Sequence, residues 1–205
     1  MKAALFDLDG VLVDTEPSYG IFWGGIGRKY GVGDTDFAQI IKGSTLTRIL
    51  DTYIPKELQP VVVKELADYE TTMEYPLFEG AERLLSELRN AAIPCAIVTS
   101  SNNDKMNNLW LQHPELRSYF DAVITDENVT KSKPDPEPYI IAAKELGLDA
   151  SQCWVFEDSI NGLISGRRAG AKVIAIATTN PKEALIDKAD AVFENIADID
   201  LSKLG

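Results

Sequence analysis

AALFDLDGVLVDT, residues 3–15, begins as an apolar run and changes abruptly to a segment that carries aspartates. The apolar run predicts a buried β-strand, and alternation along an extended chain points the side chains of Asp7 and Asp9 the same way. Two carboxylates a few Å apart repel each other unless a cation or a shared proton lies between them. The stretch therefore indicates either a functional site or an acidic turn in which Gly10 provides backbone freedom.

The composition predicts a folded chain with little affinity for polyanions. Its 205 residues are 45% hydrophobic, which suits one domain with a large insertion or two modest domains, each with its own core. The 32 acidic and 20 basic residues give a formal net charge of -12, so neither nucleic acid nor an anionic membrane is an expected partner. An anionic substrate would need a local cation.

Signals for export or membrane insertion are not predicted. No basic region precedes a long apolar run, and no apolar stretch approaches the ~18 residues of a spanning helix, so a cytoplasmic location is expected. Cys95 and Cys153 each lie in an apolar, strand-like run, which favours buried free thiols. His113 is the single histidine, so a histidine metal site or a Ser-His-Asp triad has little to draw on.

The order of predicted elements divides the chain into two parts. Residues 16–30 show apolar side chains at helical spacing, and no convincing strand follows before residue 76. Further helical segments are predicted at residues 37–41, 47–53 and 58–75. From residue 76 onwards strands alternate with helices, which is typical of parallel βαβ units. The expected fold class is α/β, with a parallel-sheet core formed by residues 1–14 and 76–205 and an inserted all-α domain at residues 15–75.

Polar side chains follow several of the predicted strands, where parallel sheets bind their ligands. Thr99 and Ser100 follow one strand and precede a helix, so they either bind an anion or cap the helix. Lys133 lies beside prolines that restrict where it points. Glu157 and Asp158 end another strand, where they either favour the helix dipole or contribute to a metal site.

Two acidic strand ends in one sheet favour the metal site, because carboxylate oxygens are the ligands that Mg²⁺ prefers. Four carboxylates, a hydroxyl group, a lysine and several helix N-termini are together suited to phosphoryl transfer. In that reaction a metal ion neutralises phosphate oxygens and a lysine offsets the negative field.

Four motifs occur in order along the chain. They are FDLDGVLVDTEP at residues 6–17, Thr99, the pair Lys133-Pro134, and FEDS at residues 156–159. They resemble the four motifs of the haloacid dehalogenase superfamily, in the subgroup of phosphatases similar to β-phosphoglucomutase. The resemblance spans residues 1 to about 177. It implies a Rossmann-like core with a helical cap inserted directly after the first motif, which agrees with the predicted all-α segment.

The resemblance also implies a role for each motif residue. Asp7 would be the nucleophile that becomes an aspartyl phosphate, and Asp9 would protonate the leaving group and later activate water. The residues that would bind the transferring phosphoryl oxygens are Thr99, Ser100 and Lys133. The implied Mg²⁺ ligands are Asp7, the backbone carbonyl of Asp9, Asp158, and Glu157, the last directly or through water.

The predicted cap departs from the mutase pattern. Tyr19 stands where the mutase has a cap histidine, and no counterpart of the mutase's cap lysine can be placed, which favours simple hydrolysis. Residues 41–48 resemble the substrate-specificity loop of the family. Lys42 and Arg48 are therefore candidates for contacting the non-reacting part of the substrate, although both are equally compatible with solvated surface charges.

Three hypotheses about function follow. The favoured one is a Mg²⁺-dependent phosphatase that acts on a small phosphorylated metabolite, such as a sugar or polyol phosphate, and that is a monomer. The second is a sugar-phosphate mutase of the β-phosphoglucomutase type. The third is a phospho-receiver or regulatory binding module, which also combines a phosphorylatable aspartate with acids, a hydroxyl residue and a lysine. The pair Asp7 and Asp9 followed by a cap favours an enzyme that excludes solvent from its substrate.

Overall fold

The computed structural model describes residues 1–32, 36–41 and 46–204. The chain forms two compact units, one made of Met1–Asp14 with Pro76–Gly205 and the other of Thr15–Tyr75. Within the described residues, no helix has both the length and the apolar character that crossing a membrane requires.

The secondary structure follows the two-part organisation of the sequence. The strands are β1 (Ala3–Phe6), β2 (Cys95–Val98), β3 (Ala122–Ile124), β4 (Cys153–Glu157), β5 (Lys172–Ile176) and β6 (Ala191–Phe193). The α-helices are α1 (Glu16–Tyr30), α2 (Phe37–Ile40), α3 (Leu46–Tyr53), α4 (Gln59–Glu70), α5 (Ala81–Asn90), α6 (Asn103–Gln112), α7 (Glu137–Glu145) and α8 (Ile160–Ala169). Short 3₁₀ helices lie at Leu116–Tyr119, Asp126–Asn128, Ala150–Gln152, Lys182–Ala184, Ile186–Lys188, Ile196–Asp198 and Leu201–Lys203.

The first unit is built on a six-stranded parallel sheet in the order β3-β2-β1-β4-β5-β6. β1 lies inside the sheet and all four of its residues are buried, as expected for a parallel strand covered on both faces. The ring of Phe6 stacks on that of Phe156 in the neighbouring strand, with centroids 4.5 Å apart. On one face, Leu163 of α8 packs in the same core as Val155 and Val173 of the sheet. The predicted α/β fold class is confirmed.

The second unit is helical and has an aromatic core. Phe22 and Trp23 of α1 belong to a buried cluster with Phe37 of α2, and the rings of Trp23 and Phe37 meet edge to face at 6.2 Å. α1 has a proline at its start and is capped after Tyr30 by Gly31, whose φ of 62° is the left-handed conformation that closes many helices.

The helix predicted at residues 58–75 is shorter in the structure, where α4 ends at Glu70. The hydroxyl groups of Thr71 and Thr72 donate to the carbonyl oxygens of Asp68 (2.7 Å) and Tyr69 (3.0 Å). The prediction of a longer helix was wrong because these side chains satisfy the terminal carbonyl groups, which closes the helix before the tyrosine that precedes Pro76.

Candidate active site

The candidate site lies at the carboxyl edge of the sheet, where β1, β2 and β4 end. The direction of strand order changes at β1, because β2 lies on one side of it and β4 on the other. Parallel sheets bind ligands at such a switch point. Asp7 follows β1, Thr99 follows β2, and Glu157 is the last residue of β4. The sheet therefore brings Asp7 close to side chains that lie more than ninety residues later in the chain.

Asp7 is held between β4 and a buried lysine. Its backbone N–H donates to the carbonyl oxygen of Phe156 (2.9 Å), which extends the pairing of β1 with β4 by one residue. Its side chain is 13% exposed, and its Oδ1 accepts a hydrogen bond from Lys133 Nζ (2.6 Å). Burial raises the pKa of Asp7 to about 7, Lys133 opposes this rise, and the charge of Glu157 adds to it.

Lys133 is a fixed cation with three different acceptors. Besides Asp7, its Nζ donates to the carbonyl oxygen of Val98 (2.8 Å) and to Glu157 Oε1 (2.6 Å). Burial alone would lower the pKa of Lys133. The carboxylates of Asp7 and Glu157 raise this pKa by more than burial lowers it, so the net shift is upward. Lys133 therefore stays protonated at neutral pH.

Glu157 is fully buried and accepts hydrogen bonds on both oxygens. Oε1 accepts from Lys133 and from the hydroxyl group of Tyr139 (2.8 Å). Oε2 accepts from the backbone N–H groups of Asp158 (3.2 Å) and Ser159 (3.1 Å) and from Ser159 Oγ (2.9 Å). These contacts show Glu157 fixing Lys133 and the turn that follows β4. Its role as a metal ligand, directly or through water, stays a prediction.

Asp7, Glu157 and Asp158 could hold a metal ion. Each offers one carboxylate oxygen, and the three oxygens lie within 4.8 Å of one another. Burial raises the pKa of Asp158 well above its usual value, and the charges of Glu157 and Asp7 add to that rise. A divalent cation would offset this repulsion, and the all-oxygen donor set fits Mg²⁺.

Two glycines let backbone segments approach these carboxylates. Gly10 has a φ of +80°, and a Cβ atom there would lie 2.1 Å from Asp158 Oδ2. A Cβ atom on Gly162 would lie 1.8 Å from Glu157 Oε1. Any larger residue at either position would displace a carboxylate of the site.

The segment after β5 also supports the site. Sequence reasoning missed this contribution. The side chain of Thr178 donates to the carbonyl oxygen of Gly10, and Asn180 Nδ2 donates to that of Asp158 (2.9 Å). Thr179 hydrogen-bonds the side chain of Asp158 and thereby opposes the rise of its pKa. The available signal was a run of hydroxyl and amide residues at the end of a fifth apolar strand.

The carboxylate of Asp9 pairs with a different lysine from that of Asp7. Lys105 Nζ on α6 donates to both of its oxygens, Oδ1 at 2.7 Å and Oδ2 at 2.8 Å, and Ser101 Oγ donates to Oδ2 at 3.1 Å. Sequence reasoning also missed Lys105 and the contact of Ser101 with Asp9. Lys105 lies four residues before the buried Leu109, and this spacing on a helix was the signal that its side chain faces inward.

Thr99 and Ser100, both predicted to bind phosphate, differ in their surroundings. Thr99 is buried, and its Oγ1 accepts a hydrogen bond from the backbone N–H of Ser101 (3.0 Å). Ser100 is exposed. Thr99 therefore shapes the loop after β2, and phosphate binding by either residue stays a prediction.

The predictions for the helical insertion have different outcomes. Lys42 lies outside the described residues, and Arg48 is an exposed residue of α3. Their proposed contact with substrate stays a prediction. Tyr19 donates a hydrogen bond from its hydroxyl group to Glu70 Oε1 (2.7 Å) within the same unit.

Comparisons with known proteins agree on one family. The family model for haloacid dehalogenase-like hydrolases matches residues 4–176. Hexitol phosphatase A of Escherichia coli (strain K12) is 31% identical over 211 residues, which cover 98% of this chain and 94% of that protein. The bifunctional riboflavin kinase/FMN phosphatase of Arabidopsis thaliana is also 31% identical, but the match covers 100% of this chain and 56% of that protein. The chain thus spans about half the length of the plant enzyme.

A solved structure has the same fold over nearly the full length of both chains. The crystal structure of a HAD hydrolase, family IA, variant 3, from Entamoeba histolytica HM-1:IMSS has a TM-score of 0.84 at 28% identity. The alignment covers 98% of this chain and 96% of that chain. Because the family model spans most of the sequence and a curated phosphatase is 31% identical over nearly its whole length, this chain belongs to the haloacid dehalogenase-like hydrolases.

Proposed function

We propose that the enzyme is a Mg²⁺-dependent phosphatase that hydrolyses a small phosphate monoester, a sugar or polyol phosphate, through an aspartyl phosphate on Asp7. The observation that carries this proposal is the position of Asp7. It shares a buried lysine with Glu157, and one of its carboxylate oxygens lies within 4.8 Å of one from Asp158. A carboxylate placed between a fixed cation and other acids is suited to attack a phosphorus atom whose oxygens need positive charge.

In the first half-reaction, an oxygen of Asp7 forms a bond to phosphorus. The bond between phosphorus and the leaving-group oxygen breaks, and its electron pair stays on that oxygen. Asp9 donates a proton to the same oxygen, so the alcohol leaves in neutral form. Lys133 holds Asp7 in place and offsets the charge of the transferring group.

In the second half-reaction, the oxygen of a water molecule forms a bond to phosphorus. The bond between phosphorus and Asp7 breaks, and its electron pair returns to the Asp7 carboxylate. Asp9, now ionised, accepts the proton of the water. The product is inorganic phosphate, and the enzyme returns to its starting state, with Asp9 protonated and Asp7 ionised.

Asp7, Asp158 and the backbone carbonyl of Asp9 would hold Mg²⁺, with Glu157 assisting directly or through water. When bound, the ion supplies positive charge to the phosphate oxygens and orients them for in-line attack. The support for this assignment is the group of three carboxylate oxygens within 4.8 Å of one another and the strongly disfavoured ionisation of Asp158. Thr99 and Ser100 would bind the transferring phosphoryl group beside Lys133.

The substrate class is supported by the curated relatives. The hexitol phosphatase of Escherichia coli, named for a phosphorylated polyol, is matched along 94% of its length. We propose that the helical unit, with Lys42 and Arg48, selects the non-reacting part of the substrate. We further propose a monomer in the cytoplasm with a small-molecule partner only. The formal net charge of -12 supports the absence of a nucleic-acid or anionic-membrane partner.

A substrate screen in the presence of Mg²⁺ tests the proposal. Phosphorylated sugars, polyols and nucleotides are each offered, and released inorganic phosphate is measured. A phosphatase turns over at least one of them many times and stops when EDTA is added. Acid-quenched enzyme should contain an acyl phosphate that hydroxylamine removes.

Two outcomes would contradict the proposal. Isomerisation of a hexose 1-phosphate without phosphate release would indicate a mutase. Uptake of a single phosphoryl group without turnover would indicate a receiver module.

A further inference from the structure

Lys105 is a buried cation at the start of α6 that none of the motif roles requires. Its side chain is 5% exposed, whereas lysine side chains are almost never so deeply buried unless they are paired. Its Nζ donates to both oxygens of Asp9, at 2.7 and 2.8 Å. Bringing a charged ammonium group into the protein carries a desolvation penalty, which this pair of bonds to a carboxylate offsets.

The first turn of α6 is fixed by its own hydrogen bonds. Asn102 caps the helix, and its Oδ1 accepts from the backbone N–H of Lys105 (2.9 Å). The backbone N–H and the Nδ2 of Asn103 both donate to the carboxylate of Glu127 (2.9 Å each). These hydrogen bonds fix the backbone position from which the Lys105 side chain extends.

Ser101 reaches the same carboxylate from the loop after β2. Its backbone N–H donates to Thr99 Oγ1 (3.0 Å), which fixes the loop, and its Oγ donates to Asp9 Oδ2 (3.1 Å). Two rigid elements thus contact one side chain, and that side chain is 32% exposed and lies just beyond the end of β1.

We propose that Lys105, assisted by Ser101, is a positioning residue that fixes the Asp9 carboxylate in the orientation needed for proton transfer. This inference rests on the proposed function, in which Asp9 gives a proton to the leaving group and later takes one from water. A carboxylate held by a single contact can still rotate about its terminal bond. Bonds to both oxygens remove that rotation, and a misplacement of about 1 Å in such a group can reduce the rate by about 10²-fold. Lys133 does not replace Lys105 here, because its Nζ donates to Asp7, Val98 and Glu157.

The first experiment compares Lys105→Met with wild type, using p-nitrophenyl phosphate and Mg²⁺. The activated leaving group needs little help from an acid, so phosphorylation of Asp7 should persist and p-nitrophenolate should appear in a burst of about one equivalent. Hydrolysis of the aspartyl phosphate needs Asp9 as a base. The steady-state kcat should therefore fall by about 10–100-fold, the range found when supporting partners of a site are removed. Because only the second step slows, KM should fall with kcat and kcat/KM should stay close to the wild-type value. Lys131→Met, which alters an exposed lysine, is the matched control and should behave as wild type.

The second experiment is a double-mutant cycle with Asp9→Asn. If Lys105 acts through Asp9, Lys105→Met should cause no further loss of kcat in the Asp9→Asn background. Multiplying losses, or a raised KM with unchanged kcat, would show that Lys105 contacts the substrate itself and would overturn the proposal. A loss of kcat without a retained burst would overturn it as well.

Ser101→Ala keeps the test decisive if Lys105→Met does not fold. It removes one neutral hydrogen bond and should give the same pattern with a smaller fall in kcat; an unchanged kcat would count against the proposal. Failure of the inference is distinguishable from failure of the proposed function. In the second case the wild-type protein itself forms no aspartyl phosphate.

Discussion

Two buried lysines, Lys133 and Lys105, each pair with one aspartate of the segment after β1, and their surroundings differ. Lys133 donates to three separate acceptors, among them the fully buried Glu157, and joins the ends of β1, β2 and β4. Lys105 donates twice to the single carboxylate of Asp9, which is 32% exposed. Lys133 is thus part of the buried centre of the site, whereas Lys105 contacts one side chain at the more exposed part of the site.

These surroundings agree with the separate roles proposed for the two carboxylates. In the proposed mechanism, the Asp7 carboxylate stays in one place while a covalent bond to it forms and breaks, which agrees with its place in a buried charge network. The Asp9 carboxylate would exchange protons with substrate and water, which agrees with its greater exposure.

Asp7→Asn should have the largest effect on activity. The amide keeps the shape of the side chain but is a poor nucleophile, so kcat should fall by about 10⁴-fold or more, on the scale of other nucleophile removals. Lys133 retains Glu157 and Val98 as acceptors, and the thermal unfolding transition should remain cooperative. Asp187→Asn, at an exposed position, is the control. Near-normal turnover by Asp7→Asn would rule out the nucleophile assignment.

Lys133→Met should lower the free energy of unfolding more than Lys105→Met does. Removing Lys133 leaves Asp7 and Glu157 as uncompensated buried acids, which should lower the free energy of unfolding by about 3–5 kcal/mol. Removing Lys105 leaves only Asp9, which solvent can screen, so the loss should be clearly smaller. Urea unfolding without Mg²⁺ measures both. Equal losses would contradict the distinction between the two lysines.

Mg²⁺ affinity should weaken as the pH falls through about 7. Burial raises the pKa of Asp7 to about 7 although Lys133 opposes it, and metal binding requires the ionised carboxylate. Protons therefore compete with the metal below that pH, and the half-saturating Mg²⁺ concentration should rise by up to about tenfold per pH unit. Activity titrated with MgCl₂ at pH 6, 7 and 8 measures this. A pH-independent half-saturation would contradict the shifted pKa.

Asp158→Asn should stabilise the metal-free protein while it abolishes metal-dependent activity. Burial, and then the charges of Glu157 and Asp7, raise the pKa of Asp158, so its ionised form destabilises the fold at neutral pH. A neutral amide removes this repulsion and should raise Tm by roughly 2–4 °C, the shift expected for about 1 kcal/mol in a chain of this size.

Thermal melts in EDTA at pH 8 measure the change. The gain should shrink as the pH falls, because wild-type Asp158 then becomes protonated and its destabilising charge is lost. A lower Tm for the variant at pH 8 would count against the repulsion.

The sequence predicted the sheet and most of its site because both follow from local patterns. Apolar runs that end in acids or hydroxyl groups, alternating with helices, were enough to place Asp7, Glu157 and Asp158 at one edge. Lys105 was missed, although its spacing from Leu109 places it on the inward face of α6, because a lysine near the start of a helix is normally solvated. Its burial depends on Asp9, which lies 96 residues earlier in the chain.

Two other features were missed for the same kind of reason. The hydrogen bonds of Glu157 to Tyr139 and Lys133 were not predicted because they depend on how a distant helix and loop pack, and its role as a metal ligand stays a prediction. The end of α4 was misjudged because the apolar pattern continues beyond Glu70, whereas the hydroxyl groups of Thr71 and Thr72 decide the boundary.

The central position of β1 has a consequence for hydrogen exchange. Strands that are paired on both sides and fully buried open only when the whole unit unfolds, so their amide protons exchange at the slowest rates. β1 meets these conditions, with β2 on one side and β4 on the other. The backbone that carries Asp7 is thus protected from local opening, and slow amide exchange at Leu5 and Phe6 would report directly on the integrity of the site.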